Sequence, residues 1–319
     1  MSKAVLYRIA FVVATKDRPD DLRRMLKSLS EQSYLPEQVV IVDSSVESAD
    51  GLTREFAALN ILYIKHNRAS ASMQRNVGIH AVDPKIDLIG FLDDDIELDP
   101  GAMECMIKFW NNAPENIGGC AFNLKNYEPS GENWLKQLIV TRWLGLYSRE
   151  KGVVLPSGWQ TMIGTITEDI FVQWLSSTAS VWRSSLFKEF LFDEFFDGYS
   201  YLEDLDFSYG VGKKYRLVVV ADAKYNHYPL RSGRVNAYLF GKIEVVNRLY
   251  FVNKYEELSL TRCFLGLFVR MLLNICHGAV RQEMTYFKRA LGNCFGLLKY
   301  VLRFILMRQL KFGTKQLLQ

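Results

Sequence analysis

An α/β protein built on an open, mainly parallel sheet with helices on both faces is the fold class that this sequence predicts. Two observations carry that reading. Strand-like and helix-like stretches alternate through residues 1–115, and polar residues follow immediately after three of the strand-like runs, at Thr15–Arg18, Asp43–Ser45 and Asp93–Asp95. A third feature adds a separate part: a basic, amphipathic helical extension closes the chain. The 319 residues, 49% apolar and 23% charged, are enough to bury a sizeable core.

The elements follow in order. "RIAFVVAT" is a β-branched apolar run with no small-residue cleavage site near it, so it reads as a first buried strand and not as a leader. In "RPDDLRRMLKSLSEQ", Leu22, Met25, Leu26 and Leu29 recur at helical spacing. "QVVIVDSS" predicts a second strand, "ADGLTREFAAL" a helix, "NILYIKHN" a third strand, "SASMQRNVGIHAV" a short helix and "IDLIGFL" a fourth strand. Asp99 then stands as an N-cap, with Pro100 at the first position of the helix "GAMECMIKFWNN". Residues 116–230 are less regular and carry five tryptophans, among them Trp134, Trp159 and Trp182. There "VLPSGWQTMIG" reads as a loop and "STASVWRSSLFKEF" as a strand running into a helix. "GYSYLEDLDFSYGVGKKY" predicts a loop and a helix, "RLVVVADAKYNHYPL" a strand and a loop, and "RVNAYLFGKIEVVNRLYFVNKY" a helix. Five cysteines (Cys105, Cys120, Cys263, Cys276 and Cys294) include no CxxC pair, which suits a reducing compartment.

The chemistry gathers at "FLDDDIELDPG". Aspartates are hard oxygen ligands suited to Mg²⁺ or Mn²⁺ with a phosphate completing the shell. On an extended segment Asp93 and Asp95 point to one side and Asp94 to the other, an Asp-x-Asp clamp for a cation on a diphosphate. Asp94 is then a bystander. A solvated acidic loop at a strand end is the plainer alternative. No P-loop or GxGxxG is present, and the triplet comes too late for a haloacid-dehalogenase-type phosphatase. In "YLEDLDF" a helix places Glu203 and Asp206 on one face, with Asp204 about 100° from Glu203. Acids there also match the dipole of a helix N-terminus.

"FVVATKDRPDDLRRMLKSLSEQ", "VVIVDSS", "ASMQRNVGI", "FLDDDIELDPGAM", "FDEFFDGYSYLEDLDFSYGVGKKY" and "NHYPLRSG" stand in an order that resembles the family 2 glycosyltransferases, over roughly residues 6–255. The resemblance implies a GT-A-type, Rossmann-like fold and inverting transfer of a sugar from a nucleotide diphosphate. It implies that Thr15, Arg18 and Arg75 lie near the nucleotide, that Asp43 reads the base edge, most often uracil, that Asp93 approaches the ribose and that Asp95 binds the metal. It makes Asp204 the base that takes the proton of the acceptor hydroxyl and His227 a further metal ligand. Ser44 and Ser45 depart from the acid or glycine that often follows Asp43, which bears on base identity. Glu203 positions its neighbours on the acceptor side, where Trp159, Trp182 and "EFFDGYSY" stack on a sugar or close over it. Each of these aromatics also reads as core.

From Leu258 onward ten Lys/Arg stand against Glu283 alone, a net +9; the rest of the chain, with 29 basic and 34 acidic residues, is −5. Within "SLTRCFLGLFVRMLLNICHGAVR", Arg262, Arg270, His277 and Arg281 fall within an arc of about 100° opposite a wide apolar face, the pattern of a helix lying in a membrane interface. "MTYFKRALGNCFGLLKYVLRFILMRQLKF" continues it, with Lys299 and Arg303 on one stripe and Arg308 elsewhere. The expected organisation is a catalytic domain over 1–257 (a nucleotide-binding half 1–115, an acceptor half 116–230 and a closing helix 231–257) and a membrane-association or oligomerisation region over 258–319. The expected partners are a UDP-sugar, Mn²⁺ or Mg²⁺, a glycan or lipid-linked acceptor and the anionic inner face of the cell membrane, with no nucleic acid. A transferase on a soluble acceptor with an oligomerising tail, and a nucleotide-sugar-binding subunit without turnover, remain the alternatives.

Overall fold

The computed structural model describes residues 7–127, 139–229 and 235–316. Trp134, the "LRSG" end of "NHYPLRSG" and the side chains of Arg303 and Arg308 lie outside the described residues. The strands β1 (Ile9–Thr15), β2 (Gln38–Asp43), β3 (Ile61–Lys65) and β4 (Leu88–Leu92) run parallel in the order β3-β2-β1-β4, with Thr15 paired to Asp43. Their carboxyl ends therefore share one edge. Pro19 opens α1 (Pro19–Ser30), which buries Leu22, Met25, Leu26 and Leu29. α2 (Ala71–Ala81) covers the other side of the sheet. Successive residues of β1 alternate between two cores: Phe11 and Val13 pack with α1 and with Met103 and Trp110, whereas Ala10 and Val12 pack with Ile79, Trp182 and Phe207. "ADGLTREFAAL" departs from its expected α-helix and forms a 3-10 turn over Asp50–Phe56. It buries only Leu52, so no apolar stripe holds a longer helix.

Beyond β4 the sheet continues β8-β6-β9-β5, with β8 (Ala179–Arg183) antiparallel to both β4 and β6 (Ile117–Leu124). The long β9 (Arg216–His227) runs parallel to β6 and antiparallel to two three-residue strands, β5 (Ile96–Leu98) and β7 (Ile170–Val172). The β5–β9 pairing sets His227 opposite Ile96, one residue from the aspartate triplet. Asp99 does not cap α3 (Ala102–Asn112). Its carboxylate accepts from Lys125 Nζ (2.8 Å) and Asn226 Nδ2 (3.0 Å), and Gly101, at φ 78°, precedes the helix instead. The strand expected in "STASVWRSSLFKEF" is β8, but a 3-10 turn over Ser184–Lys188 replaces the helix.

Two compact units divide the described residues. One holds the sheet and runs to Tyr127, then through Arg149–Val154 and Gln160–Pro229; the other holds Ile139–Ser148, Leu155–Trp159 and Val235–Gln316. In the second, α6 (Ala237–Lys254), α7 (Leu260–Arg281) and α8 (Met284–Gln316) pack around a buried polar centre. Glu244 of α6 accepts from Arg289 of α8 (2.8 and 3.1 Å) and from Asn293 (3.1 Å), and pairs with Arg270 of α7 (3.0 Å). A Cβ on Gly292 would stand 2.1 Å from the carbonyl oxygen of Tyr238, so the backbones of α6 and α8 nearly touch. The contacts group α6 with α7 and α8, where the sequence set residues 231–257 as the closing helix of the catalytic domain 1–257.

The residues of the expected basic stripe of α7 find partners within the helical unit. Arg270 turns inward to Glu244, Arg281 and His277 meet Tyr286 of α8, and Arg262 lies over Trp143 of α4 (Ile139–Trp143). These contacts engage the basic groups without burying them: the Arg270 side chain stays 42% exposed and Arg281 is exposed. Trp159 belongs to this unit as well, under the Arg248 guanidinium at 4.4 Å.

Candidate active site

The edge where β1, β2 and β4 end gathers the polar residues. Asp93, Asp95 and His227 bring one ligand atom each to within 4.8 Å of one another. Asp93 leaves β4 with its amide donating to the Thr178 carbonyl (2.9 Å), while Asp94 and Asp95 form a turn before β5. His227 Nε2 stands 3.0 Å from Asp95 Oδ1, and the Tyr228 amide donates to the Asp95 carbonyl (2.9 Å). Burial would raise Asp95, but His227 and Arg18 outweigh it and hold the carboxyl below its ordinary range. The same contact raises His227 against the burial that would lower it.

Asp94 is not the bystander that pleat geometry implied, because the triplet turns instead of extending. Its carboxylate points inward, accepting from Thr15 Oγ1 (2.7 Å) and from Arg18 Nη1 (3.3 Å), which also reaches Asp95 Oδ2 (3.1 Å). Burial pushes Asp94 up to about 7, against the pull of Thr15 and Arg18. No spacing signal marks that role: Thr15 and Asp94 are 79 residues apart.

Asp43 ends β2 as expected but is fully buried. One oxygen accepts from the Ser45 amide (2.7 Å) and hydroxyl; the other accepts from the Tyr63 hydroxyl and the Ala49 amide (3.3 Å). These bonds hold its carboxyl below the ordinary range despite burial. Asp43, expected to read the base edge, organises the loop 44–49 through these bonds. Ser45, the departure noted in the sequence, supplies two of the bonds. The hydroxyl of Ser45 also takes the Asp17 amide (2.6 Å), and Asp17, at φ 54°, accepts from the Val46 amide (3.0 Å). Two strand-end loops are joined in this way.

Arg75, expected on the nucleotide, is 5% exposed and bridges Asp93 (3.0 Å) and Glu203 (2.9 Å). Glu203 begins α5 (Glu203–Gly212), so the guanidinium ties the carboxylate cluster to the start of that helix. Burial and then the neighbouring Asp204 push Glu203 up to about 8, against Arg75. Burial also raises Asp204, opposed by Arg75. The Leu205 amide donates to Asp204 Oδ1 at 2.7 Å. The turn entering α5 holds Ser200 and Leu202 at φ 46° and 78°, left-handed backbone that a side chain strains to adopt. It is anchored by Ser70 and Ser72 of the α2 start and by the Arg68–Asp197 ion pair. Trp182 is corrected: it is fully buried against Phe207 (4.9 Å), its indole donating to Ser180 (3.0 Å), and has no surface for an acceptor.

Two carboxylates and an imidazole converge at the carboxyl edge of this GT-A-like sheet, a donor set that suits a divalent cation where open α/β sheets bind their ligands. The chain belongs to the family described as Glycosyl transferase family 2, whose model matches residues 10–169. Among solved structures it is similar to S. aureus TarS, at 16% identity and TM-score 0.53, covering 85% of this chain and 43% of TarS. It is also similar to the 1–349 portion of that protein in complex with UDP-GlcNAc (16%, TM-score 0.51, 85% and 73%) and with UDP (15%, TM-score 0.52, 85% and 72%). At such identity the likeness is one of fold, and the chain spans less than half of the full TarS chain. No curated protein matches in sequence.

Proposed function

We propose that the protein is an inverting glycosyltransferase that moves a sugar from a UDP-sugar to a hydroxyl of a lipid-linked or cell-surface glycan. The observation that carries this reading is the link from Asp93 through Arg75 and Glu203 to the start of α5, where Asp204 follows Glu203. Nucleotide-sugar chemistry needs a cation site and a base held in fixed relation, and one buried guanidinium joins the two. The TarS portion solved with UDP-GlcNAc supports the choice of UDP for the donor.

Asp93, Asp95 and His227 would hold Mn²⁺ or Mg²⁺: hard oxygens suit both, and an imidazole suits Mn²⁺ better. A divalent cation bound there neutralises charge on the departing diphosphate. Arg18, between Asp94 and Asp95, adds positive charge beside the same oxygens. Asp204 removes the acceptor proton as the hydroxyl attacks the anomeric carbon from the opposite face. The raised basicity that burial gives Asp204 suits a general base, which contributes roughly 10²–10⁴-fold. Arg75 positions Asp93 and Glu203, and Asp43 shapes the loop that the base would meet.

The test is UDP release from UDP-sugars by purified protein with Mn²⁺. Asp204→Asn lowers kcat by roughly 10²–10⁴-fold with the melting temperature kept, and EDTA abolishes turnover. Undiminished UDP release by Asp204→Asn removes the base assignment; no release from any UDP-sugar removes the function.

A further inference from the structure

The helices α6, α7 and α8 leave one apolar face uncovered within their own unit. On α8, Met284, Leu291, Phe295, Leu298 and Leu302 are each 45–65% exposed, and their spacing confines them to an arc of about 60°. Lys288 and Lys299 border that arc on one side, and Lys242 of α6 reaches over the Phe295 ring at 4.8 Å. Leu239 and Val246, on the same face of α6 as Lys242, are exposed as well. On α7, Leu265, Phe268, Leu272 and Ile275 form a second exposed stripe. Asn274 and Gly278 of α7 meet Asn293 and Phe287 of α8, and each exposed stripe lies next to that seam on its own helix. A contiguous apolar surface of this size, rimmed by cations, marks a docking face.

We propose that this face seats the helical unit in the headgroup layer of an anionic lipid bilayer, with the helices lying in its plane. Arg270 of α7 turns from the exposed stripe to Glu244, and Arg281 meets Tyr286 of α8. The stripe Leu265, Phe268, Leu272 and Ile275 is therefore apolar while the basic groups lie on another side of the helix, the pattern of an in-plane helix. α7 is long and apolar enough to cross a membrane by length and composition, yet its Arg270 is committed to Glu244 of α6. All three bordering cations are lysines, whose long stems lie along apolar surface while the ammonium reaches a headgroup. No acid follows Glu283 in the sequence. A second copy of the chain laid on this face would therefore set lysines against lysines, whereas anionic headgroups complement them. The inference rests on the lipid-linked reading of the acceptor only for its purpose; its evidence is separate from the donor site.

Vesicle co-sedimentation of the full chain tests it, comparing phosphatidylcholine alone with phosphatidylcholine mixed with phosphatidylglycerol. The wild type partitions to the anionic vesicles about 10²-fold more strongly, and high salt reverses the gain. Combined Lys242→Glu, Lys288→Glu and Lys299→Glu substitution brings binding down to the neutral-vesicle level. Combined Leu291→Gln, Phe295→Gln and Leu298→Gln substitution abolishes it, with helicity and UDP release in solution kept. Equal binding by wild type and both variants overturns the proposal. So does a concentration-dependent dimer, lost in the glutamine variant, with no vesicle binding. Vesicle binding without UDP release leaves this inference standing and removes the catalytic reading instead.

Discussion

Arg75 is the residue on which the site turns. One nearly buried guanidinium meets Asp93 of the candidate cation cluster and Glu203 at the head of α5, and lies near Asp204. It offsets part of the cost of burying the carboxyls of Glu203 and Asp204, and Glu203 shows what is left over. With burial and Asp204 holding its pKa at about 8, Glu203 takes up a proton on folding between its ordinary value, near 4.5, and 8. The neutral form is favoured in the fold. The associated penalty is absent below the unfolded pKa and fully present above the folded one, so stability falls as pH rises through this window. Glu203→Gln, which cannot ionise, escapes that fall. The difference in melting temperature between Glu203→Gln and wild type should therefore move in favour of the variant from pH 5 to pH 8.5, whatever its sign at pH 5. A difference that stays flat across the window would place Glu203 as a permanent carboxylate paired to Arg75.

At the scale of elements, the sheet is joined through a few close approaches. Gly119 of β6 lies under Trp182 of β8, and a Cβ there would stand 2.2 Å from the indole ring. The indole cannot retreat, since Phe207 packs against it and Ser180 holds its nitrogen. Gly119→Ala should cost about 1–3 kcal/mol in urea unfolding, the range for overpacking a tight core, and a cost near zero would show that the β6–β8 contact is loose. β5 and β7 repeat the lesson that short elements depend on their partners. Three residues carry no periodicity of their own, and only the long β9 defines them as strands. The β5–β9 register also delivers His227 to Asp95, a meeting that no motif in either segment encodes.

At the scale of the whole chain, two units each bury their own core, one around a mixed sheet and one around the Glu244 centre. Glu244→Ala leaves Arg270 and Arg289 facing each other without their carboxylate, a loss of about 3–5 kcal/mol by comparison with other broken buried pairs. Thermal unfolding should then show the helical unit melting early, followed by helical circular dichroism, with the transition of the sheet unit kept; a single shifted transition would show that the units unfold together. The sequence by itself determined the parallel half of the sheet, α1, α2, α5, α6 and β9, because apolar periodicity and strand-end polar residues are local properties. It also placed Asp93, Asp95 and His227 among the candidate ligands, through the order of motifs along the chain. What only the tertiary structure decided is where each side chain spends its charge. Asp43 and Arg75 turn inward, Asp94 joins Thr15 and Arg18, Trp182 sinks into the core and Arg270 leaves the helix surface for Glu244. Asp43 finds partners as near as Ser45, but those of Arg75, Asp94 and Arg270 lie 18 or more residues away in sequence, and a buried charge takes whichever partner the packing brings within reach.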